Sequence, residues 1–105
     1  MSREIKFRIW NLASEQMSKP FYINERVNQV FNTDTILLQF TGLKDKNEID
    51  IYEGDIITDN ATVFKIVFYK GRFDFRRISG DFYCPYFGDN CSRMQIINNI
   101  YEIKL

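Results

Sequence analysis

Segments in which apolar and polar residues alternate recur along this 105-residue chain, and turn-forming residues separate them about every eight to twelve positions. A period of two marks a strand with one buried face, because successive side chains leave a strand on opposite sides. Glu4 to Trp10 reads E-I-K-F-R-I-W, with Ile5, Phe7 and Ile9 on one face and Lys6 and Arg8 on the other. Met17 to Ile23 can return as a second strand, which Pro20 confines to an edge or breaks. Thr35 to Phe40 holds Ile36-Leu37-Leu38 and is expected to be buried on both faces. Ile51 to Ile57, Thr62 to Tyr69 and Arg72 to Ile78 follow. Then come Phe82 to Phe87, interrupted by Pro85, and a closing segment from Ile96 to Leu105. Lys44 to Asn47, Asp59-Asn60, Lys70-Gly71 and Ser79 to Asp81 supply turn signals between them.

This spacing implies one all-β domain over residues 1–105, mainly antiparallel, with about six to eight short strands in a barrel-like or sandwich arrangement. One or two short helical turns complete the expectation. Asn24 can cap a turn in which Val27, Val30 and Phe31 fall at helical spacing, with a loop carrying three apolar anchors as the alternative. A second turn is placed within Gly88 to Arg93.

Charge and cysteine usage narrow the chemistry. Lys+Arg and Asp+Glu both number 14, so no chain-wide attraction to nucleic acid or anionic membrane exists. There is no histidine, and Cys84 and Cys91 are the only cysteines. That set falls short of the four Cys or His ligands of a structural zinc site. No apolar stretch has the length of a membrane span or the form of a signal peptide. The expectation is a cytoplasmic protein with reduced thiols, no metal, no cofactor and no membrane contact.

Three segments carry a resemblance. They are Arg3 to Trp10, then T-G-L-K-D-K-N from Thr41 with I-Y-E-G-D-I-I from Ile51, and finally Asn98-Asn99-Ile100-Tyr101-Glu102. Together they resemble the YopX-like proteins of bacteriophages and prophages, and the central segment is the specific part. The resemblance implies a β-rich phage or prophage protein expressed inside a bacterial host, with no enzymatic residues to carry over. Such proteins usually have glycine before the terminal N-I-Y-E, where this chain has Asn98 and Asn99. Asparagine tolerates the left-handed backbone of such a turn.

Three surfaces stand out as candidate sites. Gly54 is read as a turn or bulge, with Asp55 bonding nearby backbone amides and Glu53 solvated. A metal or acid–base role for the Glu53/Asp55 pair is the alternative. Lys70 to Arg77 interleaves cations with aromatics, as single-stranded nucleic acid binding requires. Arg72, Arg76 and Arg77, with Lys6 and Arg8 as a second strip, form the candidate nucleic-acid face, while alternation assigns Phe73 and Phe75 to the core. Trp10, Tyr83 and Tyr86 form the candidate protein-contact face, since Trp10 shares the polar face of the first strand. With neither a phosphate loop nor a histidine base present, catalysis is not expected. The expected role is protein–protein contact as a homo-oligomer, possible partners being a host or phage protein, with nucleic-acid binding by a small barrel as the alternative.

Overall fold

The structure, a computed structural model, describes residues 5–22, 34–78, 83–84 and 92–102. The class is all-β and antiparallel, as expected, in two sheets. The first sheet contains β1 (Phe7–Asn11), β2 (Gln16–Met17), β3 (Thr35–Lys44) and β4 (Asp50–Tyr52), in the order β2-β1-β3-β4. The second contains β5 (Asp55–Thr58), β6 (Val63–Tyr69), β7 (Arg72–Arg77), β8 (Tyr83–Cys84) and β9 (Gln95–Asn99), in the order β8-β7-β6-β5-β9. Pro20 does hold its segment to the edge, where Phe21 makes an isolated bridge to Phe7. The helical turn expected within Asn24 to Asn32 lies outside the described residues, and Ser92 and Arg93 form a short 3-10 turn.

β3 is longer than its apolar run from Thr35 to Phe40 suggests, because it continues through Thr41 to Lys44. Its pairing with β4 steps from Phe40↔Tyr52 to Lys44↔Asp50, so β3 bulges between them. Gly42 supplies the positive φ of 87° that the bulge needs. The Thr41 hydroxyl replaces lost ladder bonds: it donates to the Ile51 carbonyl at 2.8 Å and accepts the Leu43 amide at 3.1 Å. Asp45 then organises the β3–β4 turn. Its Oδ1 accepts the Asn47 and Ile49 amides at 2.8 and 3.0 Å, and its Oδ2 accepts the Ile96 amide of β9 at 3.0 Å. One buried carboxylate thus ties a turn of the first sheet to a strand of the second.

The chain crosses between sheets at Glu53-Gly54. Gly54 has φ 88°, and a Cβ there would sit 3.2 Å from the Tyr101 ring and 3.3 Å from the Asn99 amide nitrogen. Its amide donates to the Ile66 carbonyl and its carbonyl accepts the Ile100 amide, each at 2.8 Å. The corner therefore lies flat against β6 and the end of β9. The main core gathers Ile51, Ile57, Phe64, Ile66, Phe75 and Met94 on the inner face of the second sheet. A smaller core on the first sheet joins Ile9 and Phe21, with Phe7 and Leu37 packed against them.

The β6–β7 connection has two residues, Lys70 at φ 51° and Gly71 at φ 81°, between the paired Tyr69 and Arg72. Positive φ at both central positions is the type I′ hairpin turn, which Asn-Gly fills best. Lysine is strained there. Replacing Lys70 with Asn is expected to stabilise the fold by about 1 kcal/mol, read as a higher urea midpoint with unchanged slope.

Candidate functional site

Alternation places Lys6, Arg8 and Trp10 on one face of β1, and that face points into the junction between the sheets. The Arg8 Nη2 donates to Asp55 Oδ1 at 2.6 Å. Asn99 Nδ2 donates to the same oxygen at 3.0 Å, and the Tyr52 amide donates to Asp55 Oδ2 at 2.8 Å. The Arg8 guanidinium also lies 4.4 Å above the Tyr52 ring. Lys6 Nζ sits 2.7 Å from Asp50 Oδ2 and 4.6 Å above the Phe40 ring. Trp10 stacks on Tyr101 with ring centroids 6.2 Å apart.

Two expectations are corrected here. Trp10 is only 6% exposed, so it is no part of an outer contact face. Lys6 and Arg8 form no outward basic strip, because both are engaged with carboxylates and rings in the junction. Alternation fixes which side chains share a face, but not which face the rest of the fold covers. In β1 one face packs Phe7 and Ile9 with their neighbours Phe21 and Leu37, and the other meets Asp55 of the second sheet and the Tyr101 ring. Tyr83 pairs through its backbone with Arg76. Its side chain, like Tyr86, lies outside the described part of the structure.

Asp55 bonds the Tyr52 amide, as its turn role requires, and both its oxygens are engaged. Burial pushes its carboxyl above the usual range, opposed by the Arg8 charge and the bonds from Tyr52 and Asn99. Burial also raises Glu53, against a hydrogen bond from the Gln39 backbone. Asp45 behaves oppositely. Burial pushes it up, but the Ile96, Ile49 and Asn47 amides with the Lys46 charge outweigh that and hold it below its ordinary value of 3.8. Asn98 and Asn99 adopt no left-handed backbone. Asn99, the first residue of N-I-Y-E, bridges instead, giving its amide to Asp55 and accepting the Tyr101 amide at 2.9 Å. Among the described residues no group of three His, Cys, Asp or Glu side chains could hold a metal ion.

Two outer features remain. A cleft of about 280 Å³ opens beside the junction, with Arg8 and Asp55 at its base and Ile49, Ile97, Asp50 and Glu102 around it. Ile97 reaches it because β9 bulges there: Ile56 faces Asn98 while Ile57 faces Ile96. The second feature is the end of the β6–β7 hairpin. Phe68 and Tyr69 are 46% and 51% exposed. Phe68 packs on Phe73 at 4.9 Å, and Lys70 and Arg76 lie 5.4 and 5.7 Å from the Tyr69 ring. Phe75 is buried as expected, whereas Phe73 is only half-buried. Phe68 shares the core-facing side of β6 but lies beyond the end of the core. Arg72 and Arg76 share a face, and the pairing Arg77↔Phe64 puts Arg77 on the other. Arg72 Nε contacts Asp74 Oδ1 at 3.1 Å, while neither oxygen of this fully buried carboxylate has a hydrogen bond.

The bulge at Thr41-Gly42, the Asp45 clasp, the Gly54 corner and the Asn99 bridge fall in the segments T-G-L-K-D, Y-E-G-D and N-I-Y-E, and the YopX protein family model matches residues 11–103. The chain belongs to the YopX family. Its fold is similar to that in the crystal structure of protein EF1440 from Enterococcus faecalis, with a TM-score of 0.65 and 96% of each chain covered. At 22% identity that likeness concerns fold alone. Comparison with the curated proteins gives no match. No helix among the described residues of this YopX chain is long and apolar enough to cross a membrane.

Arg8→Ala would leave Asp55 buried without its counter-charge, an expected loss of about 3 kcal/mol by urea unfolding. The double variant with Asp55→Asn should recover part of that loss. Asp45 contributes stability that is complete above 3.8 and is lost as the pH falls through its lower folded-state value. Asp55 acts in the opposite sense: as the pH rises above 3.8 stability is lost, and the loss is complete, and persists, once the pH has passed its raised folded-state value. Asp45→Asn is expected to cost about 1–3 kcal/mol at neutral pH, and much less in acid. Unfolding curves over a pH series should show the two proteins converging as the pH falls.

Proposed function

We propose that this YopX-family chain is a phage- or prophage-encoded accessory protein of the bacterial cytoplasm that works by protein–protein contact and self-association, without catalysis. The observation that carries the reading is the exposure of Phe68 and Tyr69 at the end of the β6–β7 hairpin, beside half-buried Phe73. Aromatic rings flanked by arginine have the composition of interaction hot spots. Conversely, the polar groups most able to do chemistry, Asp55 and Arg8, are engaged with one another inside the junction.

Nucleic-acid binding is the second reading, favoured by the same aromatics with Lys70, Arg72 and Arg76 nearby. It loses the Lys6–Arg8 strip to the junction, and Arg72 is paired with Asp74. Light scattering over a concentration series is expected to show an average mass that rises above the monomer, and a strict monomer throughout would overturn self-association. Anisotropy of labelled single-stranded DNA and RNA at low salt is expected to show negligible binding. A salt-dependent affinity removed by Arg76→Glu would instead favour the second reading.

A further inference from the structure

The charges of this neutral chain are unevenly placed. From Val63 to Arg77 the sequence holds Lys65, Lys70, Arg72, Arg76 and Arg77 against the acid Asp74 alone. The whole chain sums to zero, so the remainder carries the balancing negative excess. The cleft beside β9 belongs to that remainder. Asp50 and Asp55 line it already paired with Lys6 and Arg8, Glu102 lines it as the exposed acid, and Ile49 and Ile97 flank it with 54% and 51% of their surface exposed. The hairpin end is its complement, with exposed Phe68 and Tyr69 and the Lys70 cation beside the Tyr69 ring. Each feature sets apolar area beside one exposed charge, Lys70 at the hairpin end and Glu102 at the cleft, and these two charges are opposite.

Size agrees with this match. A volume of about 280 Å³ lies just under the ~300–1,000 Å³ of small-molecule sites. It suits a side chain better than a cofactor. One aromatic ring would bring roughly 150–250 Å² of surface out of water, and a lysine beside it would meet Glu102 at the rim.

We infer that the hairpin end of one copy docks in the β9 cleft of a second copy, so that self-association is head-to-tail between two different patches. This rests on the self-association reading above and names its two faces. Tyr69 enters between Ile49 and Ile97, and Lys70, beside its ring, pairs with Glu102. The bulge in β9 turns Ile97 toward the incoming ring. Complementary charge selects this orientation over the pairing of like patches.

A complementation experiment tests the inference. One variant carries Tyr69→Ser and Lys70→Glu, which spoil the hairpin end; the other carries Ile97→Ser and Glu102→Lys, which spoil the cleft. All four side chains are exposed, and circular dichroism melts confirm that both proteins fold. Sedimentation velocity is expected to show self-association weakened at least ~10-fold in each variant alone. Mixing the two should restore a single round of association, because one keeps an intact cleft and the other an intact hairpin end. If the wild-type chain is monomeric at every concentration, both the inference and the reading beneath it fail. If the wild type associates and either variant does so equally well, or the mixture stays monomeric, the head-to-tail contact alone is overturned.

Discussion

The ion pair between Arg8 and Asp55 is the interaction on which the rest of the structure depends. It joins residues 47 positions apart at a hydrogen-bond distance of 2.6 Å, and it links the first sheet to the second. Around it Asn99 and the Tyr52 amide complete the carboxylate, and Tyr52 underlies the guanidinium. A buried charge pair is a weak source of net stability, because desolvation of both ions offsets much of their attraction. Its stronger effect is on geometry. Losing either partner leaves a buried charge, so alternative packings of the sheets that separate them are costly.

Asp45 performs a related task with different chemistry. Its partners are backbone amides from its own turn and from β9. The two carboxylates therefore secure β9 from both sheets while titrating in opposite senses. Asp45 is held down by hydrogen bonds and Asp55 is pushed up by burial. The T-G-L-K-D and Y-E-G-D segments that characterise the chain are accounted for as a bulge, a clasp and a corner. Polar residues that look available for chemistry are used in holding the two sheets together. On the outer surface, aromatic and isoleucine side chains stand clear of either core.

Much of this was legible in the sequence because it rests on local rules. The β6 and β7 segments follow from alternation, their turn from Lys70-Gly71, and the Gly54 corner from the glycine beside Asp55. β3 was harder to read. Thr41 to Lys44 looks polar and loop-like, yet it continues the strand because the Thr41 hydroxyl and the positive φ of Gly42 accommodate the extra residues. The exposed Phe68 was hidden for a related reason. It has the same parity as the buried Phe64 and Ile66, and parity carries no information about where the core stops.

The sequence by itself determined the all-β class, most strands and turns, the family and the absence of a histidine-based site, since each depends on residue type and short-range spacing. Only the tertiary structure decided that the cationic face of the first strand lies inside and that Trp10 is buried. Periodicity treats the two faces of a strand alike, and a cation becomes an interior residue only when a distant carboxylate, here Asp55, is brought to meet it. The contact surface we propose therefore lies not at Trp10 but at the end of the β6–β7 hairpin and the cleft beside β9, where apolar side chains are exposed.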